Sequence, residues 1–135
     1  MMIEQLQNEF TKKLNIWERE VEIEVVFDCF KNESITDIQK QAYADFLDNQ
    51  NMILTIAKEK IINYVNHDID IFPGHTIPSN VFKFVMPKAI YIKRDIDLHK
   101  LIGLLFNYRY REEDGICTVF KDNKFLEIGP ENIIL

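Results

Sequence analysis

His67, Asp68, Asp70 and His75 gather, within one polar stretch, the imidazoles and carboxylates that a divalent cation takes as ligands. Their spacing matches neither an HExxH helix nor paired CxxC motifs, and a solvated acidic loop accounts for them without a metal. Glu112, Glu113 and Asp114 form a second cluster, in which neighbouring carboxylates could share a proton for general acid or base work. Asp114 directly precedes Gly115, however, and turn chemistry explains that dipeptide, with glycine supplying positive φ at little steric cost. Cys29 and Cys117 have no histidine nearby in sequence and no Gly-x-Ser-x-Gly elbow exists, although folding could bring Cys117 to His99. Gly74, Gly103, Gly115 and Gly129 form neither GxGxxG nor a Walker A segment, which leaves nucleotide binding without support. Tyr108, Arg109, Tyr110 and Arg111 interleave rings with cations as a platform for single-stranded nucleic acid would. Strand alternation accounts for the same residues, with the tyrosines inward and the arginines outward. No catalytic residue, metal ligand or cofactor is assigned, and a non-enzyme is expected.

The remaining chemical feature is a row of like charges. Glu20, Glu22 and Glu24 recur two apart, which places them on one face of an extended strand. Such a row keeps a strand soluble and can pair with cations on a neighbouring strand, Arg109 and Arg111 being the candidates. It can equally serve as a docking face that steers a basic protein by charge complementarity.

The elements that position these residues follow from hydrophobic period. Over residues 20–30, Val21, Ile23, Val25, Phe27 and Cys29 alternate with the glutamates and Asp28, the pattern of a strand with one wet face. Residues 14–17 offer a short preceding strand, with the reversal near Arg19 and Glu20. At Thr36 the period changes: Thr36 and Gln39 make a capping box ahead of Ile38, Ala42, Phe46 and Leu47, predicting a helix over 36–48. Asp48 to Asn51 interrupt it, and Ile53, Ile56, Ala57, Ile61, Tyr64 and Val65 renew a helical stripe to about residue 66, as a second helix or one bent rod. Residues 67–80 form an irregular stretch with turn signals at Pro73-Gly74 and Pro78, and long loops often carry function. Strands are predicted over 81–86 and 89–93, with a connection at residues 95–97. Residues 101–128 read as three strands joined by tight turns at Asp114-Gly115 and Asp122-Asn123. Two apolar helical stripes need a sheet to cover, which predicts an α+β domain: a largely antiparallel sheet ending in a β-meander, with two helices on one face.

Composition bounds the function. The 135 residues fit a single domain over 1–135, and 47% hydrophobic content with few glycines or prolines is globular. A net charge of −6 disfavours nucleic acid and anionic lipid as partners. The N-terminal residues lack the cationic end and apolar run of a secretory signal, and no apolar run approaches the roughly 20 residues that span a bilayer, so no membrane association is expected. Two isolated cysteines suit a reducing cytoplasm, where both are expected to be buried thiols.

Trp17 ahead of an alternating strand, Ile35, Thr36 and Gln39 at a helix start, the run Leu101 to Phe106 leading to Glu112-Glu113-Asp114-Gly115, and the closing Ile128-Gly129 together resemble a family of small bacterial domains of unknown function. The likeness spans most of residues 17–133, and its motifs are structural. Relatives of this kind resemble immunity proteins encoded beside polymorphic toxins, which implies a protein that binds and blocks its target. Where related sequences often carry His at the turn and Trp-Asp before it, this chain has Asp114, Tyr110 and Arg111. The expected function is therefore a cytoplasmic, non-catalytic binding protein that blocks a basic protein such as a toxin, with Glu20, Glu22, Glu24, Glu112, Glu113 and Asp114 as contacts. An enzyme or metal-binding protein using the 67–80 loop, and a self-associating structural domain, are the alternatives; monomer and homodimer stay open.

Overall fold

The computed structural model describes residues 8–29, 33–67, 81–94 and 99–135. Its centre is a sheet of six strands in sequential order: β1 (Glu9–Ile16), β2 (Arg19–Phe27), β3 (Val85–Ile92), β4 (Leu101–Tyr108), β5 (Ile116–Lys121) and β6 (Lys124–Gly129). All neighbours are antiparallel except β2 and β3, whose parallel pairing sets Glu24 beside Ala89 and Phe27 beside Ile92. A parallel pair needs a long crossover. Between β2 and β3 the chain builds α1 (Asp37–Asp48) and α2 (Gln50–Asn66), which cover one face of the sheet. The α+β class, the two helices and the C-terminal meander β3–β6 agree with the sequence pattern.

Several boundaries differ from expectation, each for a local reason. β1 begins at Glu9 rather than residue 14, because Phe10, Lys12, Leu14 and Ile16 alternate inward and the intervening Lys12 masks the apolar period. The hairpin reverses at Trp17 and Glu18, with φ of 52° and 68°, not at Arg19 and Glu20. The strand expected over 81–86 is a 3₁₀ turn, Val81–Lys83, and β3 then runs without a break through Pro87 by way of a bulge, so that one strand replaces the two predicted. β4 ends at Tyr108, and residues 109–115 form a loop instead of a tight turn. Tyr110 consequently lies outside the strand and is exposed, while Tyr108 is buried, which corrects the expectation that both tyrosines point inward. At the other end of β5, Asp122 (φ 50°) and Asn123 (φ 69°) make the expected two-residue hairpin.

The helix pair breaks at one residue, Asn49. Its side-chain amide donates to the Asp45 carbonyl at 2.8 Å, its backbone N–H bonds the same turn, and Gln50 Nε2 donates to the Leu47 carbonyl at 3.0 Å. Side chains thus satisfy carbonyls that the end of α1 leaves open. At the other end, Thr36 Oγ1 accepts from the Gln39 N–H at 3.1 Å and Gln39 Oε1 accepts from the Thr36 N–H at 3.0 Å, a complete capping box. Gln39 is fully buried, and its Nε2 donates to the carbonyls of Asp28 (2.9 Å) and Ile92 (3.1 Å). One amide therefore fastens the start of α1 to the ends of both parallel strands.

Among the described residues, the opposite face of the sheet is covered only in part. Beyond β6, a 3₁₀ turn (Glu131–Ile133) and Ile134 lie across it, packing on Ala89, Leu105, Cys117 and Val119. A Cβ on Gly103 would stand 2.7 Å from Ile134 Cγ1, so glycine there permits the close approach. Lys88 pairs with Glu131 at 3.2 Å, and Lys93 Nζ donates to the Ile134 carbonyl at 3.0 Å, fixing this terminal strap to β3. No helix among the described residues is long and apolar enough to cross a membrane.

Two stability effects follow. Gln39→Leu removes the Nε2 donor from the Asp28 carbonyl, while the Ile92 carbonyl keeps the Asp28 N–H at 2.9 Å, and equilibrium urea unfolding should record a loss of about 2 kcal/mol, against about 0.5 kcal/mol or less for exposed Gln41→Ala. Thr118 is fully buried and its hydroxyl has no hydrogen-bond partner among the described residues. The nearly isosteric Thr118→Val should raise stability by about 1 kcal/mol in the same assay.

Candidate functional site

The alternation of β2 turns Val21, Ile23, Val25 and Phe27 toward the helices and leaves Glu20, Glu22 and Glu24 exposed on the opposite face. The C-terminal strap covers β3–β5 and leaves this corner open. Cross-strand partners on β1 are Asn15, Lys13 and Thr11, so a single lysine stands among the three glutamates, and outward-facing Glu9 adds a further carboxylate along β1. None of the three glutamates enters an ion pair among the described residues. The pairing with Arg109 and Arg111 considered from sequence is excluded by topology, because β1 and β3 are the neighbours of β2.

Glu112, Glu113 and Asp114 are exposed in the β4–β5 loop. Asp114 accepts from the Glu131 N–H through its carbonyl at 2.8 Å, and Gly115 has φ of 62°, the positive value expected of it. This loop lies at the end of the sheet toward which Glu22 and Glu20 extend. β3 and β4 separate the two acidic groups, a gap of about 10 Å at ordinary strand spacing. The gap carries mixed charge. It holds an open groove of about 510 Å³ lined by Phe82, Lys83, Met86, Asn107, Arg109 and Glu112, among others. The strand glutamates therefore make one continuous acidic surface, and the loop acids stand apart from it beside two cations.

The nucleophile and metal candidates separate in space. Cys117 is fully buried beneath the strap, and burial chiefly pushes its thiol up to about 12. His99 lies at the far end of β5, where its Nδ1 meets Asp122 Oδ2 at 2.9 Å, so the fold does not join it to Cys117. Cys29 is only half-buried, unlike the buried thiol expected; burial chiefly raises its pKa, and Arg94 opposes the rise. Neither thiol has the depressed pKa of a reactive cysteine. Of the polar stretch offered for a metal, His67 ends α2, while Asp68, Asp70 and His75 lie outside the described residues, as does the expected connection at 95–97. No cluster of three metal-ligating side chains occurs among the described residues.

Two carboxylates with lowered pKa serve the fold. Asp45 on α1 is held below the ordinary range chiefly by its hydrogen bond from Lys100, which ties the helix to the start of β4. Asp122 is held down first by the Lys100 backbone N–H (2.9 Å to Oδ1), then by His99. Both groups release protons more readily folded than unfolded. Their stabilisation is complete above the ordinary aspartate value of about 3.9 and is lost as pH falls through the lower folded values. Asp45→Asn should be less stable than the parent at neutral pH and should lose stability less steeply below about pH 4, measured as urea midpoints across pH.

The model of one family, described as a domain of unknown function (DUF6985), matches residues 2–135. No curated protein and no solved structure gives a significant match.

Proposed function

The chain belongs to the DUF6985 family, and from its open acidic sheet corner we propose that it is a non-catalytic binding protein that occludes a basic protein partner, a toxin being the kind of target that an immunity protein blocks. The observation that carries the reading is the row Glu20, Glu22 and Glu24, exposed on the part of the sheet that the C-terminal strap leaves uncovered. A cationic surface laid across β1 and β2 would meet four carboxylates and one lysine. Like charges held on a rigid sheet steer an oppositely charged partner and raise its association rate, and salt weakens the effect. The Glu112–Asp114 loop is a secondary contact, reached by a partner broad enough to cross β3 and β4. The two free thiols suit a cytoplasmic setting.

The test is affinity capture from the native lysate with tagged protein as bait, beside the Glu20→Lys/Glu22→Lys/Glu24→Lys variant. These side chains are exposed, so circular dichroism should be unchanged. A basic protein held by the parent, lost on the variant and released at about 0.5 M salt is the expected result, with association slowed about tenfold or more by the reversal. Capture that ignores both the charge reversal and the salt would remove this face from the mechanism.

A further inference from the structure

A second surface has the opposite electrostatic character. Along α2, Lys60, Asn63, Tyr64 and His67 fall at helical spacing on one face, beside the buried stripe of Ala57, Ile61 and Val65. α2 crosses β5 and β6, so this face meets the helix-side residues of the edge strand β6, Phe125 and Ile128. Arg111 closes one end, its loop fixed by bonds from its N–H to the Tyr108 carbonyl (3.1 Å) and from the Gly115 N–H to its own carbonyl (3.0 Å). The open groove so formed has a volume of about 620 Å³, within the range of roughly 300–1,000 Å³ usual for small-molecule sites.

Its lining is chemically selective. The described lining residues include Lys60, Arg111 and His67 and no carboxylate, in a chain of net charge −6. Lys60 Nζ lies 4.7 Å from the centroid of Phe125, and that ring is braced edge-on against Phe120 at 5.9 Å. The ammonium is thus held at the groove by an aromatic face and keeps N–H donors for a ligand. His67 Nδ1 lies 2.7 Å from the Asn63 carbonyl, an acceptor, so Nδ1 carries the hydrogen and Nε2 is the nitrogen left to a ligand.

We infer that the α2–β6 groove binds a small organic anion, an aromatic or heteroaromatic ring bearing a carboxylate or a phosphate. Lys60 and Arg111 take the anionic group by charge-assisted hydrogen bonds, Tyr64, Phe125 and Ile128 pack on the ring, and His67 Nε2 and the Asn63 amide meet its polar edge. The site is independent of the acidic β1–β2 corner and survives if that surface binds nothing.

Isothermal titration of the intact chain with phenyl phosphate, benzoate and ring-free inorganic phosphate tests it. Saturable binding of at least one aryl anion, about tenfold or more tighter than inorganic phosphate, is expected; the better of the two names phosphate or carboxylate as the natural group. Lys60→Ala, an exposed change, should weaken that binding about tenfold with circular dichroism unchanged, and Phe125→Leu should erase the preference over inorganic phosphate. Absence of saturable binding by both aryl anions up to about 10 mM, or binding that Lys60→Ala leaves intact, overturns the assignment.

Discussion

The buried amide of Gln39 is the joint on which the rest of this fold depends. Two parallel strands end side by side at Asp28 and Ile92, where the Asp28 N–H donates to the Ile92 carbonyl at 2.9 Å and the carbonyls of both residues also face the start of a helix. A buried carbonyl without a donor costs about 1–3 kcal/mol. Gln39 supplies both donors from one Nε2 while its oxygen closes the capping box with Thr36. Helix initiation and strand termination are therefore one event, and the crossover that carries β2 to β3 starts from a defined point.

From that joint the sheet acquires two unlike faces. One is covered throughout by α1 and α2, and Trp17 helps to hold the hairpin end there. Its indole N–H donates to the Leu54 carbonyl of α2 at 2.8 Å, and its ring stacks on Phe106 at 5.5 Å. The other face is apolar only where β3, β4 and β5 carry Ala89, Leu105, Cys117 and Val119, and the C-terminal strap covers that part, held by Lys88 and Lys93. The strap stops short of β2, whose outward residues are the glutamates Glu20, Glu22 and Glu24 with a single half-buried Val26. The acidic corner is thus the complement of the strap, exposed because burying its charges would cost more than covering it could return.

Charge is consequently divided between two distant surfaces. Carboxylates occupy the uncovered strand face of β1 and β2, while the groove between α2 and β6 on the helix side gathers Lys60, Arg111 and His67. A net charge of −6 conceals this division, since it describes the long-range field and not any local site. The two proposed ligands, of opposite sign, follow this division.

Much of the fold was legible in the residues themselves. The period of two in β2, the Thr36–Gln39 capping box and the Asp122-Asn123 hairpin are local, decided by bonds and steric preferences within a few residues, and each stands where the pattern placed it. The exposure of Glu20, Glu22 and Glu24 is of the same kind, since strand alternation alone orients them. Less local features escaped. Lys12 hid the first half of β1, and a bulge at Pro87 joined what read as two strands. Gln39 looked like a capping residue only, because its strand carbonyls lie 11 and 53 positions away. The groove combines a helix stripe visible in sequence, Lys60 to His67, with Arg111, Phe125 and Ile128 from a loop and an edge strand. The sequence by itself determined periodicity, caps and turns, which depend on neighbours along the chain. Only the tertiary structure decided strand order, the reach of the strap and the meeting of α2 with β6, because those depend on which distant apolar surfaces exclude water together.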